Sequence, residues 1–176
     1  MKMSKQPFVE RRSGIDRRSK RRSGIDRRLG FVVLMAEDDE DDIVATKRAW
    51  KKHNIANPLY IVKDGEECLD FLHRRGKYSE PGTAPRPGIL LLDIKMPKMD
   101  GLSVLKHIRE DGGLHRLPVI ILTTSRTEED RLRSYDLGVN AYIVKPVGFE
   151  NFSKAVRTIS LFWQLVELPG GYNELD

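Results

Sequence analysis

Residues 89–101 read Ile-Leu-Leu-Leu-Asp-Ile-Lys-Met-Pro-Lys-Met-Asp-Gly. Four consecutive large apolar residues, Ile89 to Leu92, predict a short strand buried on both faces, which is the pattern of a parallel sheet. The run stops at a carboxylate, Asp93, and enters a loop marked by Pro97 and the turn pair Asp100-Gly101. Ligands of open α/β sheets bind at the C-terminal edge of the strands, so an acid at this point is a candidate functional group.

Working outward, the same design recurs. Upstream, Phe31 to Ala36 form a second apolar run that ends on Glu37 and Asp38. Asp39 to Asp42 lead into a helical pattern with Ile43, Val44 and Trp50, and with Lys47, Arg48, Lys51 and Lys52 toward its far end, so the charges complement a helix dipole. Glu40 to Asp42 are read as helix capping and solvation. Leu59 to Val62 predict a strand after Pro58, turned by Asp64 and Gly65 into a helix through about Arg75. Residues 76–88 hold three prolines and three glycines, a loop of unusual length for this type of connection. Downstream, a helix from Gly101 points Leu102, Leu105 and Ile108 at the core. Val119 to Leu122 follow Pro118 and end on the hydroxyls Thr123, Thr124 and Ser125. A polar helix then runs to about Leu137 with Gly138 as its cap, and Ala141 to Val144 deliver Lys145 and Pro146. Strands alternating with helices five times predict an α/β fold, a doubly wound five-stranded parallel sheet with right-handed crossovers.

Length and composition set the frame. A chain of 176 residues, 39% of them hydrophobic, fits one domain with tails. No apolar run is long enough to span a bilayer, and the Arg-rich N-terminus lacks the apolar stretch of a secretory signal, so a cytoplasmic location is expected. Cys68 is the single cysteine, which excludes an internal disulfide or a multi-cysteine zinc site; its apolar neighbours predict a buried thiol. Residues 1–30 carry 11 Lys/Arg against 3 Asp/Glu, whereas residues 31–176 carry 20 against 23. The basic character therefore belongs to the tail, where Arg-Arg-Ser-Gly-Ile-Asp-Arg-Arg occurs at 11–18 and again at 21–28. So charged a repeat is expected to be disordered alone, with electrostatic attachment to nucleic acid, an anionic membrane surface or an acidic partner as the sharper reading. The expected organisation is a basic tail over 1–30, a folded domain over 31–164 and an extension over 165–176.

The predicted edge gathers Glu37 with Asp38, Asp93, Thr123 and Lys145. Three converging carboxylates need a cation, and an all-oxygen set without His or Cys suggests Mg²⁺. With a lysine and a hydroxyl beside it, such a site can stabilise a phosphoryl group in flight while a carboxylate serves as its covalent acceptor.

Glu37-Asp38, Asp93 within Asp-Ile-Lys-Met-Pro, Asp100-Gly101, Pro118 to Thr123, and Ala141-Tyr142 with Lys145-Pro146 together resemble the receiver domain of bacterial response regulators, over about residues 31–160. That resemblance implies a flavodoxin-like fold with strand order 2-1-3-4-5 and a stand-alone two-component regulator, a signalling protein that catalyses only its own phosphorylation and slow dephosphorylation. It implies Asp93 as the phosphoacceptor from a sensor histidine kinase. Asp38 would be a direct Mg²⁺ ligand, Glu37 a ligand through water, and the Lys95 backbone carbonyl a further one. Thr123 and Lys145 would contact the phosphoryl group, Tyr142 would turn inward as the switch aromatic, and the Lys95 side chain and Ser125 would govern water access and dephosphorylation. The 76–88 loop, the Asn57-Pro58-Leu59 entry and the ending from Phe162-Trp163 to Leu168-Pro169 look like small regulators partnered with phytochrome-type kinases.

Phe149, Phe152, Val156, Ile159 and Trp163 form the core stripe of a last helix, and Leu161, Phe162, Leu165 and Val166 add apolar surface that suggests a symmetric dimer, the alternative being a tail folded back on its own domain. After Lys145 only 31 residues remain, too few for an appended DNA-binding domain. A phosphatase of the haloacid dehalogenase type also uses Asp, Thr and Lys but wants a second Asp where this chain has Lys95. The alternative of a different class is a non-phosphorylated module acting through the basic repeat on nucleic acid or membrane.

Overall fold

Side chains alternate across a strand, so a fully apolar strand needs a hydrophobic layer on each face. The computed structural model, which describes residues 31–165, supplies both layers. Strands β1 (Val33–Ala36), β2 (Leu59–Val62), β3 (Ile89–Leu92), β4 (Val119–Thr123) and β5 (Ala141–Val144) alternate with helices α1 (Glu40–Lys52), α2 (Gly65–His73), α3 (Gly101–Glu110), α4 (Glu128–Asp136) and α5 (Phe149–Leu165). All neighbouring strands are parallel, in the order β2-β1-β3-β4-β5, the flavodoxin-like arrangement expected.

Leu34, Leu90, Leu92, Val119 and Ile121 turn one way, onto Cys68, Phe71, Leu105 and Ile108 of α2 and α3. Val33, Met35, Ile89, Leu91 and Ile120 turn the other way, toward Trp163, while Ala49 and Leu122 close on Phe152 and Val156. Cys68 is fully buried, which pushes its thiol far above the usual range. It behaves as a small apolar side chain.

The sheet ladder carries the backbone one residue past each strand end. Glu37 N–H donates to the Val62 carbonyl at 2.9 Å, Asp93 N–H to Ala36 at 3.0 Å and Lys145 N–H to Thr123 at 2.8 Å. Chemistry-bearing residues are thus fixed on the rigid edge. Gly101 completes the mounting: a Cβ there would lie 2.1 Å from the Asp93 carbonyl oxygen, so only glycine lets α3 start directly against the end of β3.

Several boundaries differ from expectation. Helix α2 stops at His73 because Arg74 adopts the left-handed conformation at φ 55°, its amide returning to Phe71. No glycine marks that end. Leu137 is the cap of α4, and Gly138, at φ 82°, follows it. The cap of α1 is Asp39, whose carboxylate accepts from the Asp41 and Asp42 amides. The 76–88 connection contains a 3₁₀ turn, Gly76–Tyr78, whose Tyr78 ring packs edge-on against Phe71 at 5.0 Å.

Phe152, Val156 and Trp163 are buried as the α5 stripe requires, Phe149 and Ile159 are half-buried, and Leu161 and Phe162 are exposed. The repeat-bearing tail 1–30, the segment 166–176 and the side chains of residues 164 and 165 lie outside the described residues. Among the described residues no helix is long and apolar enough to cross a membrane.

Candidate functional site

Three successive strand ends place Glu37, Asp93 and Thr123 side by side, and β5 brings Lys145 to the same edge. All four are buried. Asp38 lies beside them but is exposed, as the first residue free of the β1 ladder. Glu37, Asp38 and Asp93 each offer a carboxylate oxygen, and these lie within 4.8 Å of one another.

The two oxygens of Asp93 differ. Oδ2 accepts from the Lys95 amide at 2.8 Å, whereas Oδ1 is buried with no hydrogen-bond partner among the described residues. A buried carboxylate oxygen left unpaired is costly, and an oxygen-seeking cation would remove that cost. The donor set, carboxylates without His or Cys, fits a hard divalent ion. Asp93, Asp38 and Glu37 are the residues placed to hold one.

Lys145 is the counter-charge. Its Nζ donates to Glu37 Oε2 at 2.5 Å and to Asp42 Oδ2 at 2.7 Å, and stands 3.5 Å from Asp93 Oδ1. Burial disfavours the ammonium, but its hydrogen bonds to Asp42 and Glu37 and the charge of Asp93 outweigh that, raising its pKa above that of an ordinary lysine. Burial pushes Glu37 up to about 7 against the opposing hydrogen bond and charge of Lys145.

Asp42 corrects the expectation that Glu40 to Asp42 only cap and solvate α1. Its carboxylate reaches back from the first turn to the lysine after β5. No local signal in the sequence announces this, since the partner lies 103 positions away.

Thr123 is buried at the end of β4, and its Oγ1 accepts from the Ser125 amide at 3.2 Å. The Ser125 carbonyl in turn accepts from the Tyr142 hydroxyl at 3.1 Å, so a backbone segment of two residues joins Thr123 to the half-buried Tyr142. The Ser125 side chain is buried and donates to Asp130 Oδ2 at 2.6 Å, tying the β4–α4 loop to α4. That bond and one from Thr127 hold Asp130 below the usual carboxylate range. Asp130 is thus a second residue whose part the sequence did not announce. The Lys95 side chain is exposed.

A second feature lies on the α5 face of the sheet. Ile120, Ala141, Ile143, Ile159, Phe162 and Trp163 line an apolar groove of about 390 Å³. The Phe162 and Trp163 rings stand edge to face at 5.4 Å.

Residues 33–157 match the family model described as the response regulator receiver domain. The chain is 38% identical over 139 residues to the response regulator Rcp1 of Synechocystis sp., covering 78% of this chain and 92% of that protein. Among solved structures, the Mn²⁺-bound form of Rcp1 superposes with a TM-score of 0.73 at 37% identity, covering 80% of this chain and all of that one. The phosphorylated cyanobacterial phytochrome response regulator RcpA gives a TM-score of 0.73 at 35% identity, covering 80% and 99%.

Proposed function

We infer the chemistry of this site from the family: the chain belongs to the response regulator receiver domain family and is a single-receiver response regulator of two-component signalling. It is a signalling protein rather than a conventional enzyme. Within that role, Asp93 is the phosphoacceptor. The observation that carries this is the buried Asp93 Oδ1 at the end of the central strand, which takes no hydrogen bond, with Lys145 Nζ 3.5 Å away and two further carboxylates within 4.8 Å.

The donor is a phosphohistidine on a sensor histidine kinase. A P–O bond forms to Asp93 as the P–N bond breaks, and the imidazole leaves with a proton in place of the phosphoryl group. Asp38, Asp93, the Lys95 carbonyl and, through water, Glu37 would hold Mg²⁺, which would supply positive charge to the phosphoryl oxygens. Lys145 pairs with the transferred group, and the Thr123 hydroxyl bonds one of its oxygens. Movement of Thr123 is relayed through Ser125 to Tyr142, which biases the surface formed by α4, β5 and α5. Lys95 and Ser125 tune hydrolysis: Lys95 by its exposed side chain, Ser125 by anchoring the loop to Asp130.

The kinase is of the phytochrome type, a reading supported by the similarity to RcpA. The protein acts in the cytoplasm as a homodimer through α5 and the C-terminal extension, supported by exposed Leu161 and Phe162 beside the apolar groove. The basic repeat adds a contact to nucleic acid or an anionic surface. Phosphotransfer profiling against purified candidate histidine kinases tests the central reading: the wild-type chain takes phosphoryl from one or few kinases within seconds and Asp93→Ala takes none. Equal transfer to Asp93→Ala would overturn it.

A further inference from the structure

We propose that Asp42 is a positioning residue for phosphorylation, acting as the outer half of a latch that draws Lys145 toward α1 and short of hydrogen-bond contact with Asp93 in the resting protein. The inference rests on the reading of Asp93 as acceptor. The structure supplies three observations for it. Lys145 Nζ makes its two close contacts to Glu37 Oε2, at 2.5 Å, and Asp42 Oδ2, at 2.7 Å, and none of hydrogen-bond length to Asp93, whose Oδ1 is 3.5 Å away. Asp93 Oδ1 is nonetheless sealed from solvent and without a hydrogen bond, its contact with that same ammonium being an ion pair only. Asp42 sits on α1, a different element from all the strand ends, and its carboxylate is about a third exposed.

An ammonium has three donors on a flexible stem, so its direction is set by where the acceptors lie. Here two carboxylates draw it toward the α1 side of the site. Closer approach of Lys145 to a phosphoryl group on Asp93 draws it toward β3, and of its two present partners Asp42 is the one left behind, because Glu37 is fixed on the β1 ladder next to Asp93 and Asp42 is on α1. The bond to Asp42 therefore opposes phosphorylation in the resting state, and its release frees the first turn of α1. Phosphorylation and the position of the α1 N-terminus are thereby linked through one lysine.

Beryllofluoride with Mg²⁺, a non-reacting mimic of the acyl phosphate, provides the test by calorimetric titration of the full chain. Asp42→Asn binds about three- to tenfold more tightly than wild type. Asp42→Glu, which can still reach Lys145, stays within about twofold of wild type. In a Lys145→Gln background Asp42→Asn produces no tightening, which separates release of the lysine from simple removal of a negative charge. In the metal-free protein, the Lys145 ammonium signal in ¹H–¹⁵N spectra is sharp for wild type and broadened for Asp42→Asn. Unchanged or weaker binding by a folded Asp42→Asn protein, or the same tightening with Lys145→Gln, overturns the latch. Absence of binding to wild type, or equal binding to Asp93→Ala, instead overturns the assignment of Asp93, and the latch with it.

Discussion

At the residue scale, the site is governed by how few counter-charges serve how many acids. Lys145 faces Glu37, Asp42 and Asp93 from a buried position, so its removal leaves uncompensated carboxylates rather than a neutral cavity. Lys145→Ala is expected to lower stability by about 3 kcal/mol in urea unfolding. It is also expected to leave slow phosphorylation intact while uncoupling it from the proposed dimerisation; a variant as stable as wild type would show that the lysine is not the keystone charge. The main site residues were legible in the sequence because each is the first polar letter after an apolar run: Glu37, Asp93, Thr123 and Lys145 are all of this kind. Asp42 and Asp130 were not. Both lie within the first turns of helices, where acids ordinarily complement the dipole, and only the fold shows which of them also has a buried partner.

At the element scale, two starts of helices fix the site. Gly101 opens α3 against the Asp93 carbonyl, and a methyl group there meets backbone at 2.1 Å, which no rotamer change relieves. Gly101→Ala, which favours the helix by intrinsic propensity, is nevertheless expected to destabilise by about 1–3 kcal/mol. Phosphorylation should slow with it, since Asp93 must shift. Asp64 caps α2 by accepting from the Glu67 amide at 2.7 Å and takes a hydrogen bond from Lys98 at 2.6 Å. Burial opposes ionisation of its carboxyl, but the Lys98 and Glu67 hydrogen bonds outweigh that and hold its pKa below the usual value. A carboxyl depressed in the folded state stabilises above its unfolded pKa, and that contribution is lost as pH falls through the folded one. Asp64→Ala should therefore cost about 1 kcal/mol at pH 7. The difference from wild type should close below about pH 4 in pH-resolved thermal unfolding. The helix ends were the least legible part of the sequence: α2 ends on a left-handed arginine, and α4 on Leu137 with Gly138 just beyond. Nothing in the local residue types at Arg74 distinguishes it from a helical position.

At the scale of the whole molecule, the parallel five-stranded sheet follows from alternating strands and helices, its order 2-1-3-4-5 came from the family resemblance, and both hydrophobic layers were implied by the fully apolar strands β1 and β3. Assembly and the tail depend on surfaces that periodicity does not describe. The described core begins at Val33, so removal of residues 1–28 is expected to leave cooperative unfolding with an unchanged midpoint by circular dichroism, while salt-sensitive binding to nucleic acid or anionic vesicles disappears. Loss of cooperativity would make the tail part of the fold. Phe162→Glu, at the exposed rim of the apolar groove, tests the proposed dimer: it should sediment as a smaller species than wild type without loss of helix content, and identical sedimentation would count against that dimer. The proposed signalling role turns on one covalent bond. Intact-mass measurement after incubation with a small acyl phosphodonor and Mg²⁺ tests it most directly: the wild-type chain gains the mass of a single phosphoryl group, hydroxylamine removes it, and Asp93→Ala gains nothing, whereas undiminished labelling of Asp93→Ala would contradict the assignment.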